Sequence, residues 1–225
     1  MKDLNISTVP TSRKRSMIMR LCTWAGTVGP ILFVLVFTID GFLKPGYSAM
    51  SQAVSYLAVG KNGWIQDANF IILGLLLTLF ALAFFQWMRP VIKQIPLLAG
   101  TIFLLPTALG YIGAGLFIAA APGEPQTALH VVLHTLSFQV IFFSLPVACV
   151  IIGWQLRKTV GWRGYGWYSI ITGLVTVIPA LFSVASFFSS GGTQSLGGLF
   201  NRIFVIEALA WYVVMASRML VLERG

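Results

Sequence analysis

Six long apolar stretches constrain the fold of this 225-residue chain more than any other feature of its sequence. Each stretch is close to, or longer than, the about 20 residues that a helix needs to cross the hydrocarbon core of a bilayer. The links between the stretches are short, so we expect an all-α integral membrane protein with one compact bundle of six transmembrane helices. The predicted spans are Leu21–Leu43, Ile65–Trp87, Ile95–Ala121, Leu129–Trp154, Trp167–Phe188 and Leu199–Leu220.

The distribution of charge supports this class and predicts an orientation. Only 9% of the residues are charged, whereas soluble domains carry roughly 25%, and the mean hydropathy is +0.87. Alternate links are basic, and Lys44 and Lys61 are the only basic residues in the remaining three links. This pattern places both termini in the cytoplasm and explains the net charge of +9 without nucleic acid binding. The basic residues on the predicted cytoplasmic side are Lys2, Arg13, Lys14, Arg15, Arg20, Arg89, Lys93, Arg157, Lys158, Arg163, Arg218 and Arg224.

The chain divides into two parts. Residues 1–16 form a basic tail that we expect to be disordered in the cytoplasm, and residues 17–225 form a single transmembrane domain. The first span exceeds the about 7–15 apolar residues of a signal peptide and lacks a small-x-small cleavage site after it, so we expect it to be retained. Cys22 and Cys149 fall in the cytoplasmic halves of predicted helices, which argues against a disulfide framework.

The first predicted external link, Pro45–Trp64, has an amphipathic pattern. Its apolar and polar residues recur at helical spacing on opposite faces. The link is too polar to cross a membrane, so we expect one or two amphipathic turns lying on the outer leaflet. The apolar face consists of Tyr47, Met50, Val54 and Leu57, and the polar face of Ser48, Ser51, Gln52 and Ser55.

Several short motifs resemble the pattern of a known family. In chain order they are Lys44-Pro-Gly-Tyr47, Gln52-Ala-Val-Ser-Tyr-Leu57, Gly60-Lys-Asn-Gly-Trp-Ile-Gln-Asp-Ala-Asn-Phe70, His134-Thr-Leu136 and Gly198-Leu-Phe-Asn-Arg-Ile203. Over about Leu21–Met219 the chain resembles the bacterial and archaeal membrane-protein family called domain of unknown function 998. The resemblance implies a six-helix fold and supplies no activity. The family pattern has an acidic residue at the position of Tyr56. The resemblance therefore implies no role for an acid at that position.

Most of the ionisable residues within the spans are predicted to lie at one end of the bundle. If the spans alternate in direction, odd-numbered helices end, and even-numbered helices begin, on the extracytoplasmic side. A charged side chain in mid-bilayer costs about 2.5–3.5 kcal/mol, so we expect these groups to turn inward and form a polar pocket. The candidate ligand-binding residues are Asp40, Asp67, His130, His134 and Arg202, and the candidate catalytic residues are Asp67, His134 and Glu207.

The two histidines of the chain have two interpretations. His130 and His134 are four residues apart, so they lie on one face of a helix and could bind zinc. Asp67 is the predicted third ligand, with Asp40 or Glu124 as alternatives, and zinc-bound water would be a hydrolytic nucleophile. In the other interpretation one histidine faces the membrane interface, the other forms a hydrogen bond within the bundle, and no cofactor is bound.

Arg202 and Glu207 also have alternative roles. The planar guanidinium of Arg202 could bind a lipid phosphate, or it could neutralise Asp67 or Asp40. Glu207 could accept a proton, because burial disfavours its charged form, or it could pair with Arg202.

These observations rank the possible functions. The first is binding of a lipid or small amphiphile in the extracytoplasmic polar pocket. The alternatives are a metal-assisted or acid–base membrane enzyme that acts on a lipid-like substrate, and a small transporter. The expected location is the plasma membrane of a bacterium or archaeon, and the expected partners are membrane lipids. The oligomeric state is left open.

Overall fold

The computed structural model describes residues 16–120, 125–189 and 196–223, except for the side chains of residues 187–189. Seven α-helices and one short 3-10 helix, Val54–Ala58, make up the regular structure of this described part, which contains no strand. The α-helices are α1 Met17–Leu43, α2 Trp64–Met88, α3 Gln94–Leu116, α4 Leu129–Leu156, α5 Arg163–Val175, α6 Val177–Ser189 and α7 Gly197–Leu222.

The six predicted spans are confirmed in number and approximate position. Five single helices and the α5–α6 pair are each long and apolar enough to cross a membrane. The third helix is shorter than predicted, because α3 ends at Leu116 rather than Ala121. The described residues therefore form an all-helical, multi-pass membrane protein.

The fifth span is broken, which the apolar pattern alone does not predict. The break falls at Thr176, three residues before Pro179. Proline has no backbone N–H, so the carbonyl of Val175 loses its usual helical donor, and the ring clashes with that carbonyl. Thr176 instead donates from its backbone N–H and its hydroxyl to the carbonyl of Thr172, at 3.0 and 2.7 Å.

Helix α3 packs closely against both α2 and α4, because small residues face its neighbours. A Cβ atom added at Gly110 would lie 2.7 Å from the carbonyl oxygen of Ser137 on α4. One added at Gly115 would lie 2.5 Å from the carbonyl oxygen of Asp67 on α2. Glycine at both positions therefore allows close contact between the helices.

The two ends of the bundle are joined differently. At one end, Glu223 at the end of α7 accepts a hydrogen bond from Trp87 Nε1 at 3.2 Å and lies 3.7 Å from Arg20 Nε. These contacts bring together the start of α1, the end of α2 and the end of α7. At the other end, residues 44–63 link α1 to α2 and fold over the start of α7; we call these residues the cap.

The cap differs from its predicted structure. Val54 and Leu57 are each 1% exposed and belong to the apolar core of the bundle, whereas Met50 is 49% exposed. The prediction that this face lies on the leaflet is therefore wrong for Val54 and Leu57. A single 3-10 turn is too short to be stable alone, so its apolar side chains are buried against the helices.

Two motif glycines turn the chain from the cap into α2. Gly60 has φ 97°, a backbone conformation that favours glycine. A Cβ atom at Gly63 would lie 1.7 Å from the carbonyl oxygen of Ala58, so only glycine fits there. The Gly60-to-Gly63 part of the motif therefore has a structural explanation.

Lys44 holds the 3-10 helix of the cap. Its Nζ donates to the carbonyl oxygens of Tyr56, Leu57 and Val59, at 2.9, 3.0 and 2.5 Å. A cation at this position satisfies the free carbonyls at the end of the helix and complements its dipole. Burial lowers the pKa of the Lys44 ammonium, and the Asp40 carboxylate opposes that shift.

Replacing Lys44 should destabilise the protein. We expect Lys44→Met to lower the free energy of unfolding by about 2 kcal/mol, because three partly buried carbonyls lose a charged donor. Denaturant titration in mixed micelles measures this change. Lys61→Met is the matched control, since Lys61 is an exposed residue of the same cap. Equal effects of the two substitutions would contradict the assigned role.

Candidate functional site

Arg202, near the start of α7, binds the cap. Its Nη1 donates to the carbonyl oxygens of Ala49, Gln52 and Gly198, at 2.6, 2.9 and 3.0 Å. Its Nη2 donates to the hydroxyl of Tyr47, and its guanidinium lies 5.3 Å from the centre of the Tyr47 ring. These contacts engage both terminal nitrogens of the guanidinium.

Tyr47 extends the same network within the cap. Its hydroxyl donates to the carbonyl oxygen of Ala53 at 3.0 Å while it accepts from Arg202. Burial raises the pKa of the Tyr47 hydroxyl, and Arg202 opposes that shift. The hydroxyl is therefore protonated at neutral pH, which the donated hydrogen bond requires.

Neighbouring residues of α7 complete the attachment. Asn201 Oδ1 accepts a hydrogen bond from the backbone N–H of Val54 at 3.0 Å. A Cβ atom at Gly198 would lie 2.5 Å from the carbonyl oxygen of Gln52, so the backbones approach as closely as glycine allows. We call the contacts of Gly198, Asn201 and Arg202 with the cap the clamp.

The clamp corrects one interpretation of Arg202. Within the described residues, Arg202 forms no ion pair with Asp40, Asp67 or Glu207, so it does not neutralise Asp67 or Asp40. The pairing of Glu207 with Arg202 is wrong for the same reason. Because backbone carbonyls and a tyrosine satisfy Arg202, its assignment to a ligand-binding site stays a prediction.

Asp67 and His134 lie on either side of the end of α3. The backbone of Asp67, in the first turn of α2, packs against Gly115. His134 Nδ1, on α4, is 2.5 Å from the carbonyl oxygen of Phe117, the C-cap residue that follows α3. Two of the predicted site residues are thus brought to one helix terminus, and Arg202 belongs to a different group of contacts.

The hydrogen bond of His134 shows which of its ring nitrogens is a donor. A carbonyl can only accept, so His134 Nδ1 carries a proton and donates in this contact. The ring is 6% exposed and its centre lies 5.0 Å from that of Phe138. The helix end explains the contact, because α3 stops early and leaves carbonyls that need donors. His134 therefore forms a hydrogen bond within the bundle, as the second interpretation of the histidines expects of one of them.

Among the described acidic side chains that form no ion pair, three carry a buried oxygen without a protein donor. Asp67 Oδ1, Asp40 Oδ2 and Glu207 Oε2 are each buried without a hydrogen-bond partner. Asp67 suits the positive end of α2, whereas Asp40 lies in the last turn of α1, where the helix dipole disfavours an anion. A buried polar atom without a partner costs about 1–3 kcal/mol, so these oxygens are candidates for binding a ligand.

A metal site is not assembled in the described part of the chain. No group of three His, Cys, Asp or Glu residues there could hold a metal ion. His130 is half-buried on α4, and Glu124 lies outside the described residues. The zinc site of His130, His134 and Asp67 stays a prediction.

Sequence reasoning missed the residues that hold the cap. Lys44, Tyr47 and Asn201 were not considered as partners of a network, although all three belong to the motifs that carry the family resemblance. Their common signal is a donor or acceptor beside a Gly-rich turn or a helix start, where backbone groups lack partners. Their partners are mainly backbone atoms, which the sequence does not distinguish.

The fold and the site define a six-span helical membrane protein with a clamped cap at one end. A sequence profile of the family described as protein of unknown function (DUF998) matches residues 27–218, most of the chain. The chain belongs to this family, which confirms the resemblance. Comparison with curated proteins and with solved structures finds no match.

Proposed function

We propose that the protein binds a small amphiphile through its polar head, at the end of α3 between α2 and α4. The observation that carries the proposal is the buried Asp67 Oδ1, an acceptor for which the described protein supplies no donor. It lies in the same region as His134, whose Nδ1 is engaged with the carbonyl oxygen of Phe117. Apolar side chains exposed around this region, Leu116 and Leu129 among them, offer a surface for an acyl chain.

The chemistry of these groups selects the head of the ligand. An unpartnered carboxylate oxygen favours a head that donates hydrogen bonds, such as an ammonium or a set of hydroxyls. A carboxylate favours the donor end of a head over its phosphate, and the nearby cation Arg202 is engaged in the clamp. We therefore propose a lipid or amphiphile with an ammonium or hydroxyl head.

We further propose that the capped end faces the extracytoplasmic side of a bacterial or archaeal plasma membrane. The argument is the charge pattern of the sequence, since the basic links lie at the end opposite the cap. In this orientation the ligand enters from the outer leaflet.

The proposal predicts a selectivity that Asp67 controls. We expect purified protein to bind phosphatidylethanolamine and glucosyl diacylglycerol more tightly than phosphatidylcholine, whose head lacks an N–H or O–H donor. Asp67→Asn should weaken binding of the first two by about tenfold, because the charged acceptor becomes a neutral amide that forms weaker hydrogen bonds. Native mass spectrometry with lipids of identical acyl chains measures these affinities.

A charge-matched variant separates this site from general electrostatics. Lys61→Gln changes the charge of the capped end by one unit in the opposite direction, and Lys61 is exposed in the cap. It should leave all three affinities unchanged. The proposal would be refuted if the three lipids bound equally well. It would also be refuted if the Asp67→Asn variant remained folded and kept the same lipid affinities.

A further inference from the structure

A basic turn joins α4 to α5 at the end of the bundle opposite the cap. A cavity of 360 Å³ opens there. Its lining contains three cations and one hydroxyl, and no acidic residue is among the residues that line it. The lining residues are Arg157, Lys158, Thr159, Val160 and Arg163.

Arg157 is held in place with part of its guanidinium unpaired. Its guanidinium carbon lies 3.6 Å from the centre of the Trp154 ring and 5.8 Å from that of Trp167. Stacking of this kind orients the planar group and leaves its edge available for hydrogen bonds. The Nε of Arg157 is buried and has no hydrogen-bond partner within the described residues. The stack therefore fixes the cationic guanidinium of Arg157 in the lining of the cavity.

The start of α5 adds a second source of positive potential. The helix begins at Arg163, which lines the cavity, and no side chain caps its N-terminus. A Cβ atom added at Gly164 would have nothing within 4 Å, so space is open beside the first turn. Free N–H groups and the helix dipole at such an end favour an anion.

We propose that this cavity binds a phosphate group, either the head of an anionic lipid or a soluble phosphate. Arg157, Lys158 and Arg163 supply charge, and Thr159 and the first turn of α5 supply further donors. A guanidinium and helix N–H groups together match the several acceptor oxygens of a phosphate. Nothing in the proposed binding at Asp67 requires this site, which lies at the other end of the bundle.

The surroundings favour the lipid as the source. Trp154 and Trp167 are 51% and 47% exposed beside the cavity, as expected of aromatic residues at the membrane interface. Val160, in the lining itself, is 97% exposed and would contact acyl chains or the head-group region.

The double variant Lys158→Gln/Arg163→Gln tests the site without disturbing the Arg157 stack, because both residues are exposed. Native mass spectrometry of the purified protein would compare phosphatidylglycerol with diacylglycerol of the same acyl chains. We expect the variant to bind phosphatidylglycerol about tenfold more weakly, as two cations near an anionic head are removed. Binding of diacylglycerol, which lacks the phosphate, should be weak and unchanged.

Arg89→Gln/Lys93→Gln is the control, since it removes two exposed cations from the neighbouring α2–α3 link. The proposal would be overturned if this control lost phosphatidylglycerol binding to the same extent. Equal affinity of the unmodified protein for phosphatidylglycerol and diacylglycerol would also overturn it. Titration with inorganic phosphate distinguishes the sources. Phosphate binding that Lys158→Gln/Arg163→Gln abolishes assigns a soluble anion to the site, whereas phosphatidylglycerol binding without phosphate binding assigns the lipid head.

Discussion

Arg202→Met is expected to destabilise the protein by about 3–4 kcal/mol. The methionine keeps the apolar stem and removes every donor. The carbonyl oxygens of Ala49 and Gln52 and the hydroxyl of Tyr47 then lose their charged partner. Hydrogen bonds to charged groups contribute about 1.5–3 kcal/mol each, and the losses are not additive within one network. Denaturant titration in mixed micelles measures the change.

Two further variants show whether geometry or charge is responsible. Arg202→Lys keeps the charge but cannot reach carbonyls on two sides with a planar fork, so we expect it to recover less than half of the loss. Arg89→Met removes an exposed arginine at the opposite end and should have little effect. If Arg202→Met and Arg89→Met were equally stable, the clamp would contribute nothing measurable.

Hydrogen exchange locates the same effect in the cap. The backbone N–H of Val54 donates to Asn201 on α7, so its exchange reports whether the cap is attached. We expect this amide to lose protection in Arg202→Met, while amides in the middle of α3 keep theirs. Local opening of this kind separates loss of the clamp from global unfolding.

The spans could be predicted from the sequence because hydropathy acts over whole helices. About 20 apolar residues in a row have few alternatives to a membrane helix, and the glycines of α3 are small enough to indicate close packing. The break at Thr176 was less evident. Other spans contain a proline and are not broken: Pro30 lies inside α1, and Pro106 lies inside α3. The effect of Pro179 depends on what surrounds it.

The cap shows where sequence reasoning fails. Periodicity assigned Val54 and Leu57 correctly to one apolar face, but the pattern does not state whether lipid or protein covers that face. The deciding interactions are Lys44 with the carbonyls of Tyr56 and Leu57, and Arg202 with other carbonyls. Every residue except proline has the same backbone groups, so such partners leave no compositional signal.

The candidate site was predicted in part for a similar reason. Alternation of the spans correctly brought Asp67 and His134 to the same end. The prediction that all polar groups at this end meet was too simple, since His134 bonds to Phe117 and Arg202 to the cap. Helix ends supply carbonyls that compete with acidic side chains for each donor. The acids are consequently the groups left without partners.

Replacing glycine by alanine is expected to have opposite effects on stability at Gly115, where α3 contacts α2 closely, and at Gly164 on α5. Gly115→Ala should destabilise the protein by about 1–3 kcal/mol, because the added methyl group must be accommodated in a packed interface. It would lie 2.5 Å from the carbonyl oxygen of Asp67 and 2.8 Å from Ile71 Cγ1, and a backbone atom cannot rotate away. The same measurement of unfolding in mixed micelles applies.

Gly164→Ala is the matched control on α5, where the new methyl group meets nothing within 4 Å. There the substitution should stabilise the protein by up to about 1 kcal/mol, because alanine has the higher helix propensity and restricts the unfolded chain. The difference in sign is the test, since both variants add one methyl group to a helix. A stabilising effect at Gly115 would mean that α2 and α3 are further apart than the structure places them. Displacing α2 there would also move Asp67, so Gly115→Ala should weaken amphiphile binding as well, whereas Gly164→Ala should not.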